Sequence, residues 1–171
     1  MTNPLELSAR YVDEGVYEGP LSVNRMSTKL AEVGDGVAFV EAFSNVVVFD
    51  SSAGLVVFDT SLEMFAPGVL ASLRVWSDEP VESLCYTHGH VDHVGGAGAF
   101  LADAEQRGHS VPTVVGHRGV MPRFERYELT NGYNGVINRR QFAMLGGGVL
   151  GAGNSDKWGP SRWVAPDEIF D

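Results

Sequence analysis

Residues 81–96 of the chain read Val81-Glu82-Ser83-Leu84-Cys85-Tyr86-Thr87-His88-Gly89-His90-Val91-Asp92-His93-Val94-Gly95-Gly96. The first seven have the apolar and β-branched content of a strand, and a helix-like stretch from Ala97 to Arg107 follows the two glycines. The six residues from His88 to His93 hold three of the five histidines of the chain. They are therefore predicted to lie on a strand-to-helix loop. In an open α/β sheet such a loop lies at the carboxyl end of the strand, where these folds place their ligand sites.

The loop itself has the composition of a metal site. Three histidines beside a carboxylate within six positions are poorly explained by packing, because burying an imidazole gains little free energy. His88 and His90 are two residues apart and point the same way on an extended segment, whereas Asp92 and His93 turn toward a neighbouring position. This pattern favours two adjacent metal ions. Nitrogen and oxygen ligands without thiolate suit Zn²⁺, and also manganese or iron.

Length and composition predict one domain with a hydrophobic core, since 44% of the 171 residues are hydrophobic. The single cysteine, Cys85, excludes an internal disulfide framework, and its place in an apolar strand favours a packing role over a nucleophilic one. The first twenty residues lack the apolar segment of a signal peptide, and no stretch approaches the roughly 18 apolar residues of a membrane span. We therefore expect a soluble, cytoplasmic protein that does not associate with membranes.

The charge of the chain argues against nucleic acid as a partner. The net charge is -10, with 4 basic and 16 acidic side chains in residues 1–106 (-12) and 8 basic and 6 acidic side chains in residues 107–171 (+2). Repulsion between an acidic chain and phosphate opposes the contacts that dominate nonspecific binding. A small-molecule substrate is the expected partner instead.

The segment from residue 1 to 60 changes character near residue 26. Residues 1–25 are polar and carry several breakers, so they predict an irregular amino-terminal arm without chemistry of its own. Short apolar runs then alternate with turn residues such as Asp35-Gly36, which predicts a meander of antiparallel strands. The runs are Leu30 to Val33, Val37 to Ala42, Val46 to Phe49 and Leu55 to Phe58.

Beyond Thr60, helices and strands alternate. Apolar residues from Phe65 to Trp76 recur at helical spacing, and Thr113 to Gly116 reads as a short strand. This β-then-βαβ order predicts an α/β fold, with an α+β-like mixed sheet and helices packed on a face. Farther on, we expect a helical turn at Pro122 to Tyr127, a loop at Asn131 to Gly135 and a helix from Gly135 to Leu145.

Thr87-His88-Gly89-His90-Val91-Asp92-His93, followed by Gly95-Gly96, resembles the His-x-His-x-Asp-His signature of the metallo-β-lactamase superfamily. Phe58-Asp59-Thr60 matches the aspartate that lies upstream in that family. The order and spacing of residues 29–117 agree with its amino-terminal half. The resemblance implies that residues 26–171 form the amino-terminal half of an αββα sandwich, a partial domain whose second half is absent.

The resemblance also implies a chemistry, namely hydrolysis of an ester, sulfate ester, lactone or thioester by a metal-bound hydroxide. His88 and His90 would hold the first metal ion, and Asp92 with His93 the second. Asp59 would support the metal loop from behind the ligands. Asp92 would also be the catalytic residue that orients the nucleophile.

Residues 122–142 resemble the corresponding region of the alkylsulfatase-like branch of the superfamily. Five arginines in residues 118–140 predict an anionic substrate, because guanidinium suits sulfate, phosphate and carboxylate groups. The alternative is a solvated helix face that also holds Glu125 and Glu128. The arginines are Arg118, Arg123, Arg126, Arg139 and Arg140.

The chain departs from the family where the remaining ligands would come. Family members complete the two sites with further histidines and a carboxylate from their second half, whereas only His109 and His117 follow His93 here. His117 ends a strand expected to run parallel to that of residues 82–87, so it is a possible extra ligand, the alternative being a capping or surface residue. A homodimer or a complementing second-half chain would supply what is missing. The alternative function is a noncatalytic metal-binding half-domain that needs a partner.

Overall fold

A computed structural model describes residues 3–16, 25–141, 159–160 and 162–171 of the chain. The described residues contain one seven-stranded sheet in which the strands follow one another in chain order. The strands are β1 (Leu30–Gly34), β2 (Val37–Val40), β3 (Val46–Ser51), β4 (Gly54–Phe58), β5 (Val81–Cys85), β6 (Thr113–His117) and β7 (Glu168–Phe170).

Six α-helices accompany the sheet in this part of the chain. They are α1 (Pro4–Ala9), α2 (Ala66–Trp76), α3 (Val91–Val94), α4 (Ala97–Arg107), α5 (Val120–Leu129) and α6 (Asn131–Gln141). A π-helical turn, Arg10–Glu14, continues α1. None of the helices in the described ranges has the length and apolar character needed to cross a membrane.

The sheet has an antiparallel half and a parallel half. β1 to β4 pair as an antiparallel meander, and β4 to β7 pair in parallel. The helices α2 and α4 lie on the crossovers from β4 to β5 and from β5 to β6. The predicted meander, the βαβ unit and the mixed α/β sheet are thereby confirmed. Because β4, β5 and β6 are parallel, the residues that follow them gather at one edge of the sheet.

One face of the sheet builds the core with α2 and α4. The row of paired residues across β2 to β6 on this face is fully buried and consists of Ala38, Val48, Val57, Leu84 and Val114. Val69 and Leu73 of α2 and Phe100 of α4 pack onto it from above. Burying each of the larger apolar side chains stabilises the fold by about 1.5–3 kcal/mol.

The opposite face of the sheet is also apolar, but it is only partly buried. Its side chains alternate with those of the core, as the two-residue period of a strand requires. Phe49 and Phe58 are 41% and 38% exposed, and their ring centroids lie 5.6 Å apart. A contiguous exposed apolar face is typical of an interface. The face carries Val37, Phe39, Val47, Phe49, Val56 and Phe58.

The amino-terminal prediction was wrong in its secondary structure. Residues 4–14 are helical, because Asn3 caps the first turn: its side-chain oxygen accepts a hydrogen bond from the Leu5 N–H at 2.8 Å. Leu7 is buried, so this turn packs on the body. Residues 1–2 and 17–24 lie outside the described residues.

The predicted loop at Asn131 to Gly135 was also wrong, since these residues open α6. Side-chain hydrogen bonds at four-residue spacing hold the helix: the Asn134 amide donates to the Thr130 hydroxyl, and the Asn138 amide donates to the Asn134 carbonyl, both at 2.9 Å. The predicted helix from Gly135 is confirmed to Gln141, and residues 142–145 lie outside the described residues. The predicted helical turn at Pro122 extends to the whole of α5.

The loop after β4 packs closely against the junction of α3 and α4. The backbone N–H and the hydroxyl of Thr60 both donate to the His93 carbonyl, at 2.6 and 3.0 Å, and the Gly96 N–H donates to the Ser61 carbonyl at 3.0 Å. A Cβ atom on Gly96 would overlap the Thr60 carbonyl oxygen and the Ala66 side chain. Glycine at position 96 therefore lets the loop after β4 pack directly against the start of α4.

Replacing this glycine should destabilise the protein. We expect Gly96→Ala to lower the free energy of unfolding by about 2 kcal/mol or more, because the added methyl group forces backbone apart. The matched control is Gly98→Ala in α4, where a Cβ meets nothing within 4 Å. This control should leave stability unchanged or raise it by about 0.5–1 kcal/mol. Chemical denaturation measures both, and equal effects would contradict the packing argument.

Candidate metal centre

The histidine-containing loop is anchored by Asp59, which follows β4. The Asp59 N–H donates to the Cys85 carbonyl at 2.9 Å, which joins the ends of β4 and β5. The buried Asp59 carboxylate then accepts from the Thr87 N–H at 2.8 Å and from the Thr87 hydroxyl at 2.7 Å. Its Oδ2 also lies 2.7 Å from His93 Nδ1. Asp59 thus holds Thr87, in the loop after β5, and the His93 ring of α3.

The rings of His88, His90 and His93, called the histidine cluster below, contact one another. His88 lies between the other two, with ring centroids 4.4 Å from His90 and 4.1 Å from His93. The Thr87 hydroxyl lies 3.0 Å from His88 Nδ1 and so links the ring to the Asp59 anchor. The strand-to-helix turn therefore brings the three imidazoles together, as the sequence predicted.

Asp92 and His93 share a second neighbour, Ser44, from the turn between β2 and β3. The buried Ser44 hydroxyl lies 3.1 Å from Asp92 Oδ2 and 2.8 Å from His93 Nε2, and those two atoms are 3.6 Å apart. Ser44 is 48 residues upstream of Asp92, so no local pattern in the sequence pointed to it. Ser44 thus holds the carboxylate and the imidazole side by side.

A pocket of about 280 Å³ opens beside the histidine cluster. His88, His90, His117 and Arg123 are among the residues that line it. A Cβ atom on Gly89 would lie 3.1 Å from the Arg123 Cβ, so the glycine between the two histidines lets α5 approach the motif. His117, predicted as an extra ligand, thus faces the same pocket as His88 and His90.

The electrostatic surroundings divide the histidines into two kinds. Burial and the neighbouring His93 lower the pKa of His88, and burial and the charge of Arg123 lower the pKa of His90. Burial also disfavours charge on His93, but the hydrogen bond and charge of Asp59 outweigh it and raise the His93 pKa. His88 and His90 therefore favour the neutral form, which is the form that binds metals.

The donor chemistry fits zinc, because imidazoles and a carboxylate are its common ligands and Asp59 orients one imidazole from behind. Within the described ranges, however, no three His, Cys, Asp or Glu side chains are arranged to hold one ion together. The two pairs, His88 with His90 and Asp92 with His93, stay a prediction, since the His88 ring contacts both His90 and His93. A catalytic zinc site usually has three protein ligands, so each pair needs a further donor.

Comparison with known proteins identifies the family of this arrangement. The family model described as the metallo-beta-lactamase superfamily matches residues 40–149. The chain belongs to the metallo-beta-lactamase superfamily. Residues 40–149 span β2 to α6 and so include the Asp59 anchor, the histidine cluster and α5.

Individual relatives are longer than this chain. A linear primary-alkylsulfatase from Pseudomonas sp. (strain ATCC 19151) is 32% identical over 65 residues, which is 37% of this chain and 12% of that protein. The stereoselective inverting sec-alkylsulfatase Pisa1 from Pseudomonas sp. matches at a TM-score of 0.62 and 19% identity, covering 96% of this chain and 29% of the other. A metallo-beta-lactamase from Cronobacter sakazakii matches at a TM-score of 0.52 and 16% identity, covering 87% and 48%. These likenesses show the fold.

The fold is therefore that of the amino-terminal half of a metallo-beta-lactamase sandwich. The partly exposed sheet face, lined by Phe49 and Phe58, is opposite the one that carries α2 and α4. The division at residue 25 into an arm and a partial domain stays a prediction.

The Asp59 anchor generates a pH-dependent prediction. In protein kept metal-free with a chelator, Asp59→Asn should lower the pKa of His93, because it removes the hydrogen bond and charge that raise it. Asparagine suits the site because it tolerates the left-handed backbone of residue 59, where φ is 59°. Asp50→Asn, an exposed carboxylate on β3, is the matched control. NMR titration of the histidine rings measures the shift.

The sign of the linked stability follows from the raised pKa. Charging His93 stabilises the metal-free fold fully below its ordinary pKa of 6.5, and this contribution is lost as pH rises through the folded-state pKa. In the Asp59→Asn variant, the stability should no longer fall as pH rises through this range. In the Asp50→Asn control, it should fall as in the wild type. A His93 pKa that stays in place in the Asp59 variant would contradict the assignment of Asp59 as its cause.

Proposed function

We propose that this protein is a metal-dependent hydrolase that acts on an ester, sulfate ester, lactone or thioester. The observation that supports the proposal is the gathering of His88, His90, Asp92 and His93 at the end of β5, with Asp59 fixing the His93 ring. Family membership supports hydrolase chemistry in general. The alkylsulfatase relatives favour a sulfate ester within the range of substrates.

Each residue has a defined part in this chemistry. His88 with His90, and Asp92 with His93, would hold zinc, with manganese or iron as alternatives. When bound, such an ion lowers the pKa of water from 15.7 to about 7 and polarises the bond under attack. Asp59 holds the His93 ring through Nδ1 and leaves Nε2 as the donor atom. Asp92 presents Oδ2 at the same point, where it would orient the attacking water.

One candidate would both supply the missing metal ligands and cover the exposed apolar face. The chain spans 12% of the curated alkylsulfatase and 29% of the solved one, so the relatives contain much more polypeptide. We assign both roles to a complementing second half, which would cover Phe49 and Phe58 and bring further ligands to the two pairs. A homodimer is the alternative, because a second copy would also cover the face.

A second function is favoured by the absence, among the described residues, of three donors for one ion. In this alternative the chain is a noncatalytic half-domain that binds metal weakly and serves assembly with a partner. The two functions differ in metal affinity and in turnover, which the same preparation can report.

Metal content separates the two functions. After dialysis of purified protein against metal-free buffer, we expect the wild type to retain metal and His88→Ala/His90→Ala to lose it. The loss should exceed the 10–100-fold fall in affinity that follows when an outer-shell partner is removed, because ligands themselves are gone. The matched control is His109→Ala, because His109 lies just after the carboxyl end of α4. Elemental mass spectrometry measures metal per chain.

Turnover and particle mass complete the test. Metal-loaded protein should hydrolyse at least one member of a panel of sulfate esters, carboxylate esters, lactones and thioesters, and the double variant should not. Turnover indistinguishable from background with metal bound would reject the hydrolase and leave the half-domain. Light scattering on the same sample distinguishes a single chain, a homodimer and a complex with a second polypeptide.

A further inference from the structure

Arg123 is a half-buried cation beside the histidine cluster. Its Nη2 donates to the Tyr127 hydroxyl at 3.1 Å, and its guanidinium carbon lies 4.7 Å from the centre of the Tyr127 ring. Its Nε is buried without a hydrogen-bond partner. A buried polar group without a partner is costly, because it loses its water without replacement. Tyr127 therefore holds the arginine in place, while its Nε stays buried and unpaired.

The other arginines in the described part of the chain differ from Arg123. Five of them form an ion pair with an aspartate or glutamate, namely Arg10, Arg25, Arg74, Arg107 and Arg118. The others, Arg126, Arg139, Arg140 and Arg162, are exposed to solvent. Arg123 forms no salt bridge with the described residues. It lines a pocket whose other lining residues include no carboxylate. Its neighbour on the same helix, Arg126, is exposed to solvent. Arg123 thus combines partial burial with an unneutralised charge.

His117 adds a second donor to the same pocket. Its Nδ1 accepts a hydrogen bond from the Gly119 N–H at 3.0 Å, so the lone pair of that nitrogen is used. A neutral imidazole with Nδ1 as acceptor carries its proton on Nε2. His117 therefore offers an N–H rather than the lone pair that a metal ion requires. The ring of Phe170 from β7 packs against it, with centroids 5.5 Å apart.

A cation and an N–H donor thus line the same pocket as His88 and His90. We propose that Arg123 and His117 bind an oxyanion of the substrate beside the histidine cluster. The proposal rests on the proposed function and deepens it, because it selects substrates with an anionic group, such as a sulfate ester, over neutral lactones. Guanidinium matches such oxygens through two parallel hydrogen bonds, and the pocket places them beside the donors of the metal centre.

Sulfate binding tests the inference without turnover. Inorganic sulfate is titrated at constant ionic strength into chelator-treated and zinc-loaded protein, and the NMR signals of the Arg123 and His117 side chains are followed. We expect sulfate to bind the wild type, and Arg123→Gln to weaken binding by about tenfold or more, because hydrogen bonds to charged groups are the strong ones. Arg126→Gln, the matched control on the same helix, should bind as the wild type does. Arg123→Lys should restore part of the affinity, and His117→Phe should weaken it.

Two outcomes would overturn the inference. One is a wild type that does not bind sulfate, and the other is an Arg123→Gln variant that binds it unchanged while its unfolding midpoint matches the wild type. If the variant unfolds early, Arg123→Lys carries the comparison, because it keeps the side-chain stem that packs on Gly89. In protein that turns over, Arg123→Gln should raise KM for a sulfate ester and leave KM for a neutral lactone in place. Arginine-dependent sulfate binding without any turnover would reject the hydrolase but keep the anion site.

Discussion

The buried carboxylate of Asp59 is the constraint on which the site depends. It lies at the end of β4, in a left-handed backbone conformation that disfavours most side chains. Burying this carboxylate without partners would be costly, yet it has Thr87 through two donors and His93 through a third contact. The same three contacts fix Thr87, just before the histidine cluster, and His93, its last member. Because the buried carboxylate needs these partners, it holds the histidine-containing segment in one conformation.

The parallel pairing of β4, β5 and β6 makes this arrangement possible. Parallel strands end at the same edge, so Asp59, the histidine loop and His117 meet there although nearly 60 residues separate the first from the last. The pairing follows from the crossover helices α2 and α4, whose apolar spacing could be read from the sequence. The four-strand meander was predictable for the same reason, since it has a local period that matches its structure. Val91 to His93, predicted as part of a loop, instead form most of α3.

The parts that could not be predicted depend on distant partners or on local contacts that override propensity. β7 has three exposed residues and exists because it pairs with β6, some 50 residues earlier. Asn131 to Gly135 has the composition of a loop, but the Thr130–Asn134–Asn138 hydrogen bonds make it helical. Ser44 reaches Asp92 and His93 through the sheet, and Arg123 reaches the pocket because Gly89 leaves space for it. Of five arginines in one region, only the packing of α5 singles out Arg123.

His93 and His117 both lie at this edge of the sheet, and each has a hydrogen-bond partner at Nδ1. The two partners are of opposite kinds, an acceptor for His93 and a donor for His117. His93 has a carboxylate at Nδ1, which holds a proton there, so Nε2 is the nitrogen that can give up its proton and bind a metal ion. His117 has a backbone N–H at Nδ1, which takes the lone pair and leaves the proton on Nε2. The partner of one nitrogen thus decides whether the other can bind a cation or an anion. Sequence places both rings near strand or helix ends, but only the structure shows which partner each Nδ1 has.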